Sequence, residues 1–284
     1  MYTLFDWLEQ RKPLNIALVI GYVVIVILLH DPLVQISFQL MSKLTIMTYD
    51  RIIMGIVLVL GLGFVLWFIR TMVQVKQHTG LKLWLLFILL AAMFFHNQML
   101  FVMNMEFIHA AEFGLLALLV YPLFKRYSFA MIVVLLCGYL DELYQYQVLY
   151  PERETYFDFN DTIMDQLGIG FALLSLYNMA VPQHRIKPVR EWIRSPFMLF
   201  CIALGSTVFI CFQLSIFEVY ASDATSSTIL LMNEAAGPGP FWQQFLQTGI
   251  FYHVLRPMHG FGINMLLIGL ILLLDYFPNE PRRL

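Results

Sequence analysis

The segment 140–166, LDELYQYQVLYPERETYFDFNDTIMDQ, contains Asp141, Glu142, Glu152, Glu154, Asp158, Asp161 and Asp165, seven of the chain's 19 acidic residues, with Arg153 as its one basic residue. Upstream, His109 and Glu112 are spaced i, i+3. Within the segment Asp141 and Gln145 are i, i+4, and Asp158, Asp161 and Asp165 are i, i+3, i+7. On a helix each set shares a face. Carboxylates gathered with an imidazole can act as general acid and base, bind a divalent cation through oxygen or relay protons. Arg153 and, near the last apolar run, Arg256 between His253 and His259 could hold an anion, although Pro257 also suits that stretch as the first turn of a helix. The spacing alone does not choose among these chemistries. No Walker loop, G-x-S-x-G elbow or HExxH helix is present. Cys137, Cys201 and Cys211 lie inside apolar runs, which points to buried thiols and not to a disulfide framework or metal site. No metal or cofactor is assigned.

The elements that must position these residues are transmembrane helices. The chain has 284 residues, is 60% hydrophobic and only 13% charged, against about 25% charged in a soluble domain. Apolar runs of helix length recur at about 15–29, 52–69, 82–103, 106–123, 127–140, 161–180, 197–217 and 258–277, the pattern of an all-α, polytopic bundle of about eight spans. Between the third and fourth runs the break falls at HNQ (96–98) or NME (104–106), and the second is preferred. His96 and Asn97, inside the third run, suit helix–helix hydrogen bonding. The stretch 33–47 is too polar to span and is expected along the interface. His30, Asp31 and Pro32 end the first run and are given no chemistry. The N-terminal run follows a leader of mixed charge with no small-residue cleavage site, so it is expected to be retained. The loop 218–257, with AAGPGP at 235–240, is expected to be irregular.

Lys and Arg set the orientation. With both termini cytoplasmic, 13 of the 17 basic residues face the cytoplasm, and Lys43, Arg51, Arg153 and Arg256 face outward. The acidic segment is then extracytoplasmic. The fifth run starts near Tyr127, so Asp141 lies about 21 Å along it, inside a hydrocarbon core of about 30 Å. Asp161 and Asp165 enter on the sixth run, and His109 and Glu112 on the fourth, at a similar shallow depth. Ionisable residues inside a span cost a few kcal/mol each and rarely face lipid, so these should face one another or a cavity open to the outside. A net charge of −2 with no basic stripe gives no sign of nucleic-acid binding.

The order His109-x-x-x-Phe113, then Asp141-Glu142-Leu143-Tyr144-Gln145, then Arg153, then Asp161-x-x-x-Asp165-x-x-Gly168 resembles the VanZ-like family over about residues 82–180. Tyr144 stands where that family often has His, and Asp165 where it usually has Asn. The resemblance implies a multi-pass protein of the bacterial plasma membrane, in a family whose founding members are associated with low-level teicoplanin resistance. It divides the chain into a two-span region (1–81), a VanZ-like core (82–180) and a C-terminal two-span region (181–284). Three functional readings follow. The first is binding of an amphiphilic envelope molecule, a lipid-linked precursor or a lipoglycopeptide, by Asp141, Glu142, Gln145, Arg153, Asp161, Asp165, His109, Glu112 and Arg256. The second is a hydrolase or transferase on a lipid-linked substrate, with Asp141, Glu142 or His109 as the catalytic group. The third is a proton-coupled transporter or flippase.

Overall fold

The computed structural model describes residues 2–101, 103–149, 157–181, 183, 196–214, 217–218, 229–230, 243–245, 250–255 and 257–279. The helices are α1 (Tyr2–Gln10), α2 (Lys12–Leu44), α3 (Ile46–Val75), α4 (Thr79–Met99), α5 (Phe107–Phe124), α6 (Tyr127–Tyr144), α7 (Phe159–Asn178), α8 (Pro196–Gln213) and α9 (Pro257–Tyr276). A 3₁₀ turn, Asn104–Glu106, leads into α5, and a π turn, Gln145–Leu149, ends α6. Strand content among the described residues is two short pairs within the connection from α8 to α9, Phe217–Glu218 with Ile229–Leu230 and Gln243–Phe245 with Ile250–Tyr252. Most of the 218–257 loop, AAGPGP included, lies outside the described residues.

Helices α2 to α9 cover the eight apolar runs in order. Among the described residues, six helical segments are long and apolar enough to cross a membrane: Lys12–Leu44, Ile46–Val75, Thr79–Met99, Asn104–Phe124, Tyr127–Tyr144 and His259–Tyr276. Two boundaries differ from expectation. The stretch 33–44 does not lie apart at the interface but continues α2 through Pro32 as one 33-residue helix, about 50 Å long. HNQ falls inside the end of α4, and the chain leaves helix at Leu100, a little before NME.

Helix α7 is the hub. From Phe159 to Gly170 every residue except Asp161 is buried. Its polar residues Asn160, Thr162, Asp165, Gln166, Ser175 and Asn178 lower its hydropathy, and all are buried. They are tolerable there because neighbouring helices satisfy them. Gln166 Nε2 donates to the Asn264 carbonyl (2.9 Å), and Asn178 Nδ2 to that of Phe68 (2.8 Å). The closest packing is α5 on α7. Ala110 and Gly114 on α5 meet Gly168 and Ala172 on α7, and a Cβ added at Gly168 would fall 2.5 Å from Ala110 Cα. Small residues at i, i+4 on both helices allow this approach.

Helices α2 and α3 lie outermost, with Leu28 67% and Val59 73% exposed. Apolar faces this extensive suit lipid as solvent and would drive association in water. A second polar belt closes the opposite end of the bundle. Asp275 of α9 accepts from the backbone N–H groups of Tyr127 (2.8 Å) and Ser128 (2.9 Å) at the start of α6, and from the Ser128 hydroxyl. Here an acid satisfies a helix N-terminus. Lys82, at the start of the third run, is fully buried, and its Nζ donates to the Asn178 carbonyl (3.5 Å) at the end of α7. Lys125 pairs with Asp6 (3.6 Å) and Glu9, which docks α1.

Candidate functional site

The α5–α7 approach sets the site. Because Ala110 rests on Gly168, the adjacent His109 is held against the N-terminal half of α7. His109 Nδ1 donates to Asp165 Oδ1 at 3.2 Å, while Nε2 lies 3.8 Å from Asp161 Oδ2, an ion-pair distance. The i, i+4 spacing of the two aspartates thus brackets one imidazole. His109 and Asp165 are buried, and the Asp161 side chain keeps 21% of its exposure. Asp165 fits because α6 presents Gly138 to it: a Cβ there would fall 2.6 Å from Asp165 Oδ2.

Helix α6 brings Asp141, Glu142 and Gln145, all buried. Gln145 Nε2 donates to Asp141 Oδ2 (3.0 Å), the i, i+4 contact expected from the spacing. Asp141 Oδ1 is buried with no hydrogen-bond partner among the described residues. Glu142 turns the other way. Its Oε1 accepts from the backbone N–H of Asp158 (2.9 Å), and Asp158 in turn caps α7 through Asn160 N (2.7 Å). Glu142 and Asp158 therefore anchor the entry to α7. The π turn at Gln145–Leu149 widens the end of α6 just beyond these residues, as π-bulges often do at functional sites.

Glu112 and Asp141 line a groove with Tyr22, Val23, Val26, Ile27, Phe113, Leu116 and Cys137. Helix α5 is its floor. Helices α2 and α6 are its walls, each packed on α5 and hardly on each other. Both carboxyl-bearing residues lie toward the end of the groove where α5 begins and α6 ends, and the remaining walls are apolar. Tyr22 reaches across from α2 to α5, its hydroxyl donating to the Glu112 carbonyl (2.9 Å). His109 is not among the lining residues.

Two contributors were not expected from the sequence. His30 of α2 brings its ring to 6.2 Å from that of His109, centroid to centroid. Its signal was an ionisable residue at the end of an apolar run, in a helix whose neighbours were unknown. Gly138 carried a clearer signal, because it lies three residues before Asp141 on the same face. His96 behaves as expected: its Nε2 donates to the Asn160 carbonyl (2.8 Å) across α4 and α7. Asn97 instead bonds Asn104, close in sequence (2.9 Å). Asn160 ties the N-terminal end of α7 to its neighbours, donating to the carbonyls of Leu100 (3.1 Å) and His253 (2.9 Å) and accepting from Leu255 N (3.1 Å). His259 is exposed. Arg153 and Arg256 lie outside the described residues. Among the described residues no group of three or more His, Cys, Asp or Glu side chains is arranged to hold a metal ion. Compared with family models, curated proteins and solved structures, the chain matches none.

Proposed function

We propose that this is a VanZ-like, multi-pass protein of the bacterial plasma membrane that binds an amphiphilic envelope molecule, a lipid-linked precursor or lipoglycopeptide, from the extracytoplasmic side. In this reading eight spans place both termini in the cytoplasm. The observation that carries it is the groove between α2, α5 and α6, with two carboxyl-bearing residues at one end and apolar walls along the rest. A groove polar at one end and apolar along the rest matches a molecule with a head group and an alkyl chain. Asp141 meets the head, supported by Gln145. The His109, Asp161 and Asp165 bridge holds α5 to α7 behind it. Arg153 and Arg256, which lie outside the described residues, are proposed contacts to other parts of the molecule and not to its head.

One observation favours the second reading, a membrane hydrolase or transferase: a buried histidine oriented by a carboxylate, His109 with Asp165, is the arrangement used by general bases. Against it, the other ring nitrogen faces Asp161 and the ring does not line the groove. Native mass spectrometry of the detergent-purified protein separates binding from no binding. A bound amphiphile is expected on the wild type and lost in Val26→Trp, which fills the groove from its α2 wall. A wild type that carries no specific mass would defeat the proposal, and turnover of the bound species would move it to the enzyme reading.

A further inference from the structure

The polar groups lining the groove are almost all acceptors. The Tyr22 hydroxyl is already committed to the Glu112 carbonyl. The Glu112 carboxyl group remains, with Asp141 Oδ1, which is buried and unpartnered on a residue only 5% exposed. Among the described residues no Lys or Arg lines the groove. Behind them stand Asp161 and Asp165 with two imidazoles, His30 and His109, so among the described residues here four carboxyl groups face two imidazoles. A buried acceptor without a donor is costly, and a bond to a charged donor is among the strongest available. A phosphate or carboxylate head offers only acceptors and would add like charge. A hydroxyl brings one donor and its own lone pairs. A primary ammonium brings three N–H donors, no acceptor and a positive charge.

We infer that the groove selects an amphiphile headed by a protonated primary amine, with Asp141 Oδ1 and the Glu112 carboxylate receiving its N–H groups. The alkyl chain lies along Val23, Val26, Ile27, Phe113 and Leu116. Cys137 to Asp141 and Glu112 to Leu116 each span about 6 Å of helix. The groove therefore grips the first few methylenes, and the rest of the chain runs on between α2 and α6. This inference rests on the amphiphile-binding reading above and names the chemistry of its ligand.

The test is thermal melting of the full chain in a neutral maltoside detergent, with added dodecylammonium, dodecyl phosphate, dodecanoate or dodecanol at equal concentrations. A ligand that binds only the folded state raises Tm. Dodecylammonium is expected to raise it by on the order of 5 °C, the other three by little. Both Asp141→Asn and Val26→Trp should remove the rise. Val26→Trp decides alone if Asp141→Asn does not fold, and the head-group series on wild type needs no variant. If dodecyl phosphate or dodecanoate stabilises as much and Val26→Trp abolishes it, the groove still binds amphiphiles and the amine assignment is wrong. If dodecylammonium stabilises wild type and Val26→Trp equally, its effect comes from the acidic surface and the inference falls. If no amphiphile shifts Tm, the inference and the binding reading fall together.

Discussion

Gly168→Ala should do more damage than any other single-methyl addition in the bundle. The added Cβ would stand 2.5 Å from Ala110 Cα and 2.6 Å from its carbonyl carbon, where carbon atoms ordinarily rest about 3.5–4.0 Å apart. The obstructing atoms are backbone, so no rotamer change relieves them, and α5 must move from α7 by about 1 Å. The 3.2 Å bond from His109 to Asp165 would then stretch to about 4 Å, beyond bonding range. Overpacking costs about 1–3 kcal/mol and loss of a hydrogen bond to a charged group about 1.5–3 kcal/mol. The helix gains about 1 kcal/mol from replacing glycine, which leaves a net loss of about 1.5–5 kcal/mol. At about 2–4 °C per kcal/mol, melting in detergent should fall by about 3–20 °C. Gly63→Ala on α3 is the control. A Cβ there meets nothing within 4 Å, so Tm should hold or rise. Adding Ala110→Gly to Gly168→Ala should not rescue, because it removes none of the obstructing atoms. A Gly168→Ala protein that melts with the wild type, or a rescue by Ala110→Gly, would refute the account of the α5–α7 contact.

Other substitutions probe the rest of the architecture. Asp275→Ala leaves two backbone N–H groups and one hydroxyl at the start of α6 without their acceptor. It should cost about 2–4 kcal/mol, with Asp275→Asn intermediate, both read from thermal melts. If both match wild type, the cap is supplied by another group. Asn160→Ala removes three bonds that join the ends of α4 and α7 to the segment before α9. A similar loss is expected, together with faster amide exchange at Leu255, and unchanged exchange there would show that the segment is held by other contacts. Topology is checked in a background without native cysteines. Thr45→Cys at the exposed α2–α3 turn should react with an impermeant thiol reagent on intact cells, and Thr79→Cys at the exposed start of α4 only after lysis. The opposite pattern would invert the orientation.

Much of this molecule is local information. The eight helices follow from apolar runs, because hydrocarbon length and the need to satisfy backbone groups within a segment act on each run separately. The pairing of Asp141 with Gln145 and the shared face of Asp161 and Asp165 follow from the helical period alone. The partners of these residues do not. Asp158, grouped with Asp161 and Asp165 by its spacing, instead lies just before α7 in extended backbone and caps it. Glu142, grouped with Asp141 by adjacency, points to the start of α7 because neighbouring positions on a helix diverge by about 100°. The 33–44 stretch stays in α2 although its polarity argued for a break, since Leu, Gln, Met and Lys there are good helix formers whether or not they suit lipid. His30 joins His109 only because α2 packs on α5. That packing, the central place of α7 and the groove itself depend on which glycine meets which backbone. Gly168 and Gly138 look in the sequence like the exposed Gly61 and Gly63, and only the tertiary structure puts a carbonyl or a carboxylate where their side chains would have been.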